Sequence, residues 1–368
     1  MKTTRTRTLV DRRRLAARAV LAVAALLPFG PASLGAYEPT AATVERRVES
    51  MGTTLDLVVR MKYREQALDA SEAALAEIRR VEALLTTWKA GGELDRIDKG
   101  APGQPVAVSL ELAELLASDF AWIPRTRGAF DPTIQPLLRV WGLRGKGRIP
   151  NAAVLAAARA ATGAEHFRID VAGRTVTRLS REAGIDEGAW GKGYGLERAG
   201  RVLGKAGVQS ALLNLGGQVL AIGSDTAEVP WRVPVAHPLD RKRTVVELGL
   251  ANLSAATSGD SERVLEINGR RIGHILDPRT GQPAPDFGSV TVVAPSALVA
   301  DILSTAFFVL GPESGLALSE GLRREGIENE ALFLVVREGS LGAAASPGMS
   351  NLILSADPAA VRGLTPQP

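Results

Sequence analysis

The sequence predicts a mixed α/β (α+β) fold in which helices occur between strands that pair locally. Segments with helical spacing of Ala, Leu and Ile lie between segments rich in β-branched residues, as is typical of this class. Two pairs of β-like runs flank short turns at Ala172-Gly173 and Asn268-Gly269, and both predict hairpins. A chain of 368 residues is long enough to form one large domain or two lobes around a core.

The elements follow in order along the chain. Helices are predicted where apolar residues recur at spacings of three and four, and strands where they alternate or form short runs. The main predictions are a first strand over residues 51–60, helices over 63–88, 110–128 and 151–163, a hairpin over 166–180, one strand each within 207–224 and 243–259, and last strands over 331–338 and 350–356. The Gly/Arg-rich residues 141–151 are interpreted as a surface loop or a lobe boundary.

Residues 1–36 predict an export signal. A cationic start precedes an apolar run around Ala19–Leu27 and small residues near Ala36. Arg12-Arg13-Arg14 resembles a twin-arginine signal, which predicts export of the folded chain to the periplasm. The apolar run is shorter than the roughly 20 residues that a spanning helix needs. We therefore expect residues 37–368 to form a soluble, exported domain of one or two lobes, with a disordered basic tail as the alternative reading of the first segment.

Charge and composition exclude several kinds of site. The formal net charge of +4 arises in residues 1–36, which carry +6 and leave −2 for the remainder. The basicity is therefore local and gives no support to nucleic-acid binding. The sequence contains no cysteine, which excludes disulfides, zinc–thiolate sites and cysteine nucleophiles.

An apolar helix is predicted over residues 296–310, with Gly311 as its stop signal. After the opening serine, its polar residues are Asp301, Ser304 and Thr305, whose spacing places them on one face. A buried carboxylate is costly unless it is paired or binds a cation, and carboxylate and hydroxyl oxygens suit Mg²⁺. The residues alone leave an alternative open, in which the Asp pairs with a buried Arg and the hydroxyls bond to helix carbonyls.

Two glycine-rich segments are candidate ligand contacts. Residues 185–200, IDEGAWGKGYGLERAG, lead from a predicted strand into a helix whose first N–H groups could hold phosphate. The segment matches neither a Walker A loop nor the G-x-G-x-x-G pattern. Gly216-Gly217 follow a buried strand and indicate either a bulge or a close ligand contact. A tight structural turn remains the alternative for residues 185–200.

Three isolated residues leave their roles open. His274 lies between apolar residues and before an Asp-Pro pair, a setting in which a histidine is more often structural than catalytic. Asp131 precedes a proline and an apolar segment, which also fits a turn and cap. Trp88 ends a predicted helix, where its ring can stack on a flat ligand or join the core.

The order and the amino-acid sequences of these segments resemble those of the FAD:protein FMN transferase family, also known as the ApbE family. Matching blocks, which cover most of residues 37–368, include "GAFDPTIQPLLRVWG", "IDEGAWGKGYGLERA", "LLNLGGQVLAIG" and "GHILDPRTGQP" followed by "ADILSTAFFVLG". The resemblance implies a flavin transferase fold with a T-fold-like lobe. It also implies Mg²⁺-dependent transfer of the FMN half of FAD to a Ser or Thr hydroxyl of a partner protein, with release of AMP. The implied partner is a flavin-carrying subunit of a redox complex, with an Asp-x-x-Ser/Thr-Gly-Ala-Ser/Thr-like segment.

The resemblance also implies the residues of the site. FAD contacts map onto Met51, Trp88, Ala129, Phe130, Asp131, Asp186, Lys192 and Ile275. Metal ligands map onto Asp301, Ser304, Thr305 and the backbone carbonyl of Ala189, with Ser304 between the other two side chains on the polar face. His274 matches the histidine of the family's H-I-x-D-P block, so we expect it to assist proton transfer, with Asp301 as the second catalytic residue.

Departures from the family pattern affect the expected site. Ser304 occupies a position that is often acidic or small in the family, so Asp301 would be the only carboxylate on the metal. Trp190-Gly191 replaces a more usual aliphatic–alanine pair before the lysine, and Ser261 stands where many members have Tyr. Two other functions would use the same site: a Mg²⁺-dependent FAD pyrophosphatase, in which water replaces the protein hydroxyl, and a flavin-binding maturation factor without turnover.

Overall fold

The protein is organised around a large antiparallel sheet. The computed structural model describes residues 41–87, 91–226, 228–259, 264–267 and 269–358. The helices are α1 Arg64–Leu85, α2 Glu93–Lys99, α3 Leu110–Arg125, α4 Gln135–Trp141, α5 Ala152–Ala160, α6 Gly191–Lys205 and α7 Ala297–Arg324. The strands are β1 Ala42–Ser50, β2 Thr53–Met61, β3 Pro105–Ala107, β4 Phe167–Asp170, β5 Thr175–Arg178, β6 Ser210–Leu215, β7 Gln218–Ile222, β8 Trp231–His237, β9 Asp240–Leu250, β10 Leu253–Gly259, β11 Val264–Ile267, β12 Arg270–Gly273, β13 Gly288–Ala294, β14 Glu330–Arg337, β15 Ser340–Ala345 and β16 Ile353–Ala356.

Within the described ranges, the main sheet has eight strands in the order β1-β2-β6-β7-β10-β13-β14-β15. Each neighbouring pair in this order is antiparallel. The remaining strands form the smaller sheets β16-β9-β8, β3-β5-β4 and β11-β12. The predicted mixed α/β class is confirmed, and so are both predicted hairpins, β4–β5 and β11–β12.

Two layers cover the faces of the main sheet. Helices α1, α6 and α7 pack on one face, where Ile78, Leu196 and Phe307 are fully buried. The β16-β9-β8 sheet covers part of the other face and buries Trp231 and Leu248. Burying a large apolar side chain contributes roughly 1.5–3 kcal/mol, so these layers hold the helices in place over the sheet.

Helix α7 begins and breaks where its sequence indicates. The hydroxyl of Ser296 accepts a hydrogen bond from the N–H of Val299 at 3.2 Å, which caps the helix. Gly311 has a left-handed φ of 75° and ends the first segment, as predicted, and a second helical segment then continues to Arg324. Among the described helices, α7 is the one whose length and hydropathy would suit a membrane span. Its packing against α6, β10 and β13 instead makes it a core helix.

Three strand predictions need correction. Residues 207–224 form two strands, β6 and β7, which pair across the turn at Gly216-Gly217. Strand β1 precedes the predicted first strand and pairs with it across the turn at Met51-Gly52. Residues 243–259 form parts of two strands, β9 and β10, because Asn252 takes a left-handed φ of 55° and turns the chain. Asparagine tolerates this conformation better than most residues, so the turn was readable from the sequence. The predicted export signal lies outside the described residues and stays a prediction.

Candidate active site

A cavity of about 200 Å³ lies between the start of α6, the first turns of α7, strand β10 and the segment after β12. It is lined by Ile134, Leu138, Leu143, Arg144, Asp186, Gly188, Ala189, Lys192, Gly216, Gln218, residues 256–259, His274, Ile275, Leu276, Asp301 and Thr305. Seven residues that the resemblance implied are thus brought together from distant parts of the chain: Asp186, Ala189, Lys192, His274, Ile275, Asp301 and Thr305.

Asp301 is the buried carboxylate of this cavity, with 5% of its surface exposed. Its Oδ2 accepts a hydrogen bond from the N–H of Gly193 at 2.8 Å. Burial raises the pKa of Asp301, while the charge of Lys192 and the Gly193 N–H act in the opposite direction. In the described part of the chain, Oδ1 has no protein partner and no Arg or Lys forms an ion pair with this carboxylate. The arginine-paired alternative is therefore excluded for those residues.

Gly193 allows the close approach of α6 to α7. A Cβ at this position would lie 2.4 Å from the carbonyl oxygen of Ala297 and 2.8 Å from the Cβ of Asp301. Neither atom belongs to the end of a flexible side chain, so any larger residue must push the two helices apart. The glycine after Lys192 is thus required by helix packing, and this packing delivers its N–H to the carboxylate.

Thr305 and Ala189 complete a set of oxygen donors. Thr305 lies one turn after Asp301 on the cavity wall, and its hydroxyl makes no hydrogen bond to the described protein. Carboxylate, hydroxyl and backbone carbonyl oxygens are ligands that Mg²⁺ accepts, with water or substrate phosphate filling the other positions. The described residues contain no cluster of three or more His, Asp or Glu side chains suited to a metal ion. The available donors fit a cation that stays partly hydrated or binds substrate oxygens.

Ser304, which the resemblance implied as a metal ligand, does not line the cavity. Its hydroxyl donates to the carbonyl oxygen of Asp301 at 2.9 Å and shares a hydrogen bond with the hydroxyl of Ser258, also at 2.9 Å. Ser304 is buried and does not line the cavity, so its hydroxyl joins α7 to β10. This is the back-bonded arrangement that the sequence left open for the hydroxyls of this helix.

Asp186 is fixed at the cavity wall by three contacts. Its Oδ1 accepts a hydrogen bond from the N–H of Gly188 at 2.9 Å, and its Oδ2 pairs with the guanidinium of Arg144. The indole N–H of Trp190 donates to the Asp186 carbonyl at 2.8 Å and closes the turn that leads into α6. The Trp190 side chain is fully buried, so the unusual residue before Lys192 gives this loop a rigid support.

Arg144 and Glu187 form a charged cluster that the sequence did not indicate. Arg144 also donates to the hydroxyl of Thr87 at 2.7 Å, and that hydroxyl donates to Glu187 at 2.7 Å. Burial, followed by the charge of Asp186, raises the pKa of Glu187 to about 7. Arg144 lies in the segment interpreted as a surface loop or lobe boundary. In the sequence it is noticeable only as a cation close to the Trp141-Gly142 pair.

His274 lies on the cavity wall just after β12. The turn that follows is held by a bidentate contact in which Arg279 Nε and Nη2 each approach the carboxylate of Asp277 at 2.8 Å. The carbonyl of Ile275 accepts from the N–H of Ala284 at 2.9 Å, which closes the same turn. These contacts fix the backbone beside His274.

Four other implied FAD contacts do not line the cavity. Asp131 is buried, and its Oδ1 accepts from the N–H and hydroxyl of Thr133 at 2.8 and 2.6 Å, which is the turn that the sequence offered as an alternative. Ala129 and Phe130 are buried in the core. Met51 takes a left-handed φ of 51° and donates its N–H to Glu82 at 3.0 Å.

The Met51 side chain nevertheless lies close to the glycine-rich start of α6. A Cβ at Gly195 would be 3.1 Å from its sulfur. Trp88 lies outside the described residues. The roles of Met51, Trp88, Ala129, Phe130 and Asp131 in FAD binding therefore stay predictions.

Asp119 is a second buried carboxylate that the sequence did not single out. It lies on the core face of α3, is fully buried, and neither of its oxygens has a hydrogen-bond partner within the described structure. Burial, followed by the charge of Asp301, raises the pKa of Asp119 well above its usual range. An acidic residue within an amphipathic helix gives no sign from the sequence that it faces the core.

Comparison with known proteins identifies the family of this chain. The ApbE family model matches residues 51–329. The chain belongs to the ApbE family. A relative from Salmonella typhimurium, named FAD:protein FMN transferase, is 31% identical over 332 residues, which are 88% of this chain and 93% of the relative. A relative of the same name from Vibrio cholerae is 32% identical over 297 residues, 78% of this chain and 87% of the relative.

Solved structures of ApbE proteins share the fold. The ApbE protein of Thermotoga maritima superposes with a TM-score of 0.75 and 30% identity, covering 83% of this chain and 97% of that one. The flavinyl transferase ApbE of Pseudomonas stutzeri gives a TM-score of 0.73 and 30% identity, covering 86% of this chain and 98% of that one. The predicted family and its fold are therefore confirmed, and this ApbE family member is an enzyme of the transferase class.

Proposed function

We propose that this chain transfers the FMN half of FAD to a Ser or Thr hydroxyl of a partner protein, with Mg²⁺, and releases AMP. The proposal rests on one observation: Asp301, Thr305 and Lys192 meet on the wall of one cavity. A dinucleotide pyrophosphate is doubly anionic, and more charge develops on its oxygens as it is cleaved. A buried carboxylate that holds a cation, with a lysine beside it, suits such a substrate.

Different residues of the cavity contribute to binding in different ways. Lys192 lines the cavity, where its positive charge favours the anionic substrate and also lowers the pKa of Asp301. Asp301 and Thr305, with the carbonyl of Ala189, would hold Mg²⁺, which supplies charge neutralisation at the phosphate oxygens when bound. The Arg144-supported carboxylate of Asp186 lies on the same wall and orients polar groups of the nucleotide.

The transfer itself needs one proton to move. The acceptor oxygen forms a bond to the phosphorus of the FMN half, and the bond from that phosphorus to the bridging oxygen breaks. AMP leaves with the bridging oxygen and its electron pair. His274 takes the proton of the acceptor hydroxyl as the new bond forms. A rigid turn after His274 favours this role because the base must be correctly aligned with the hydroxyl.

The experiment incubates the purified chain with FAD, Mg²⁺ and a flavin-carrying redox subunit, with Asp301→Ala as the control. Mass spectrometry of the subunit measures added FMN on Ser or Thr, and chromatography measures AMP. We expect equal amounts of both products, dependent on Mg²⁺ and absent from the Asp301→Ala reaction. Free FMN with an unlabelled subunit would instead identify a pyrophosphatase, and bound flavin without AMP would identify a binding factor.

We propose further that the chain acts in the periplasm after twin-arginine export. The support is the cationic start and apolar run of residues 1–36. Replacing Arg12 and Arg13 by Lys should leave the chain in the cytoplasm, as measured by fractionation. Unchanged delivery to the periplasm would exclude the twin-arginine route.

A further inference from the structure

A second cavity opens beside the active-site cavity and shares Leu138 and Arg144 with it. Its volume is about 480 Å³, and it is formed by α4 and the loop that follows α4. Its described lining contains four cations, Arg139, Arg144, Lys146 and Arg148, and no acidic residue. We call this surface the basic groove.

Two of these cations keep an uncompensated charge. In the described structure, no carboxylate lies within 4.0 Å of Lys146 or Arg148. Arg148 donates to the backbone carbonyls of Val140 and Arg139 at 2.8 Å each, and these neutral partners leave its charge in place. Among the described carboxylates, Arg139 approaches only the exposed Glu182, at 3.5 Å, and its guanidinium also donates to the neutral side-chain oxygen of Gln135 at 2.8 Å. The basic groove therefore favours an anionic ligand.

The backbone of the basic groove is preorganised. The loop closes on itself through hydrogen bonds from the Gly147 N–H to the Gly142 carbonyl at 3.1 Å and from the Arg148 N–H to the Trp141 carbonyl at 2.8 Å. Gly142 and Gly147 take left-handed φ values of 65° and 73°. A Cβ at Gly147 would lie 2.6 Å from the side chain of Ile267, so the β11–β12 hairpin packs closely against the loop. A rigid surface loses little conformational entropy when a partner binds.

We propose that the basic groove docks an acidic segment of the acceptor polypeptide beside its acceptor hydroxyl. The inference rests on the proposed function, because it requires a protein as the acceptor. The basic groove and the reaction cavity share Leu138 and Arg144 as lining residues, so a polypeptide lying in the groove is next to the reaction cavity. Ile149, 41% exposed on the same loop, offers an apolar contact that a polypeptide can use. Aspartate and glutamate side chains match the exposed ends of Arg139 and Lys146.

The first test measures binding without any reaction. A fluorescein-labelled decaglutamate and a labelled Gly/Ser decamer of equal length are titrated with the wild-type chain, and anisotropy gives the two Kd values. We expect the acidic probe to bind at least about tenfold tighter, with most of the difference lost at ~0.5 M salt. Lys146→Glu should weaken the acidic probe about fivefold, and Lys146→Glu with Arg139→Glu should weaken it further.

Lys205→Glu is the matched control, because Lys205 is exposed at the end of α6 and lines neither cavity. It should leave the Kd of decaglutamate unchanged. FAD binding, measured by flavin fluorescence, should be the same in wild type and Lys146→Glu. In the transfer reaction, decaglutamate should compete with the acceptor and not with FAD.

Three outcomes would overturn the docking site. The acidic and neutral probes could bind equally, or Lys146→Glu and Lys205→Glu could weaken the acidic probe equally. In the third outcome, Lys146→Glu weakens FAD as much as decaglutamate, which would assign the basic groove to the nucleotide. A wild-type chain that binds decaglutamate but transfers no FMN would instead overturn the proposed function, and the acceptor assignment with it.

Discussion

The carboxylate of Asp301 accepts a hydrogen bond from the backbone N–H of Gly193 at 2.8 Å, and this contact joins the two helices that form the active-site cavity. The N–H lies in the first turn of α6, where backbone donors have no partner within their own helix. It occupies one carboxylate oxygen and leaves the other for a ligand. Thr305, one turn further along α7, then faces the same space.

Asp301→Asn should remove the activity while keeping the shape of the site. The amide oxygen can still accept from Gly193, but the negative charge that would hold a cation is lost. We expect kcat/KM for FMN transfer to fall on the order of 10²-fold or more, measured by FMN incorporation at saturating Mg²⁺.

Ser304→Ala is the matched control for Asp301→Asn, because the Ser304 hydroxyl bonds to Ser258 and a helix carbonyl. It should change kcat/KM less than about threefold and lower the free energy of unfolding by about 1 kcal/mol. Equal losses in both variants would make the Ser304 hydroxyl a metal ligand.

Gly193→Ala should destabilise the protein by forcing α6 and α7 apart. The added methyl would meet the Ala297 carbonyl oxygen at 2.4 Å, and overpacking of this kind typically costs about 1–3 kcal/mol. Gly204→Ala in the same helix is the control, because nothing lies within 4 Å of the added methyl. It should stabilise the protein by roughly 0.5–1 kcal/mol through helix propensity. Urea denaturation measures both changes, and a neutral Gly193→Ala would contradict the tight helix crossing.

Arg144→Met should weaken FAD binding more than it slows turnover. Asp186 and Glu187 would then face each other without the guanidinium, and their repulsion would displace the Asp186 carboxylate from the wall. We expect the KM for FAD to rise about tenfold while kcat changes less. Arg144→Lys should recover only part of the loss, because an ammonium cannot bridge Asp186 and Thr87 as the planar guanidinium does.

Lys146→Met serves as the control for Arg144→Met. Lys146→Met removes one positive charge from the same loop, as Arg144→Met does. Lys146 itself makes no contact with Asp186. The KM for FAD should therefore stay at the wild-type value in steady-state assays. A similar rise in KM for both variants would mean that the overall charge of the loop, and not the position of Asp186, governs FAD binding.

Asp119→Leu should stabilise the protein, and more so at high pH. A buried carboxyl group without a partner costs about 1–3 kcal/mol, which an apolar side chain avoids. The pKa of Asp119 is raised in the folded state. The contribution of Asp119 to the stability of the folded protein is therefore most favourable below about pH 4. That contribution is lost as the pH rises through the folded-state pKa of Asp119. The gain from Asp119→Leu should accordingly increase between pH 4 and pH 8 in urea denaturation. Asp119→Asn, which stays polar, should give a smaller gain, and a loss of stability in the Leu variant would refute the explanation.

Much of the fold was readable from local patterns. The Asn-Gly pair and the short turn at Ala172-Gly173 predicted hairpins because such turns determine which neighbouring strands pair. The cap and break of α7 were also readable, because Ser296 and Gly311 act on the backbone next to them. The order of strands in the main sheet was not readable, because it joins β7 to β10 and β10 to β13 across long stretches of chain.

By itself, the sequence determined the class of fold, the family, and the group of polar residues on one face of α7, because each depends on residues close together in the chain. Only the tertiary structure decided which of these residues share a cavity. It turned Asp301 and Thr305 toward Lys192 and turned Ser304 toward Ser258. It also brought Arg144 to Asp186 across 42 positions and buried Asp119 without a partner. Such contacts arise from the packing of whole elements, and no spacing along the chain encodes them.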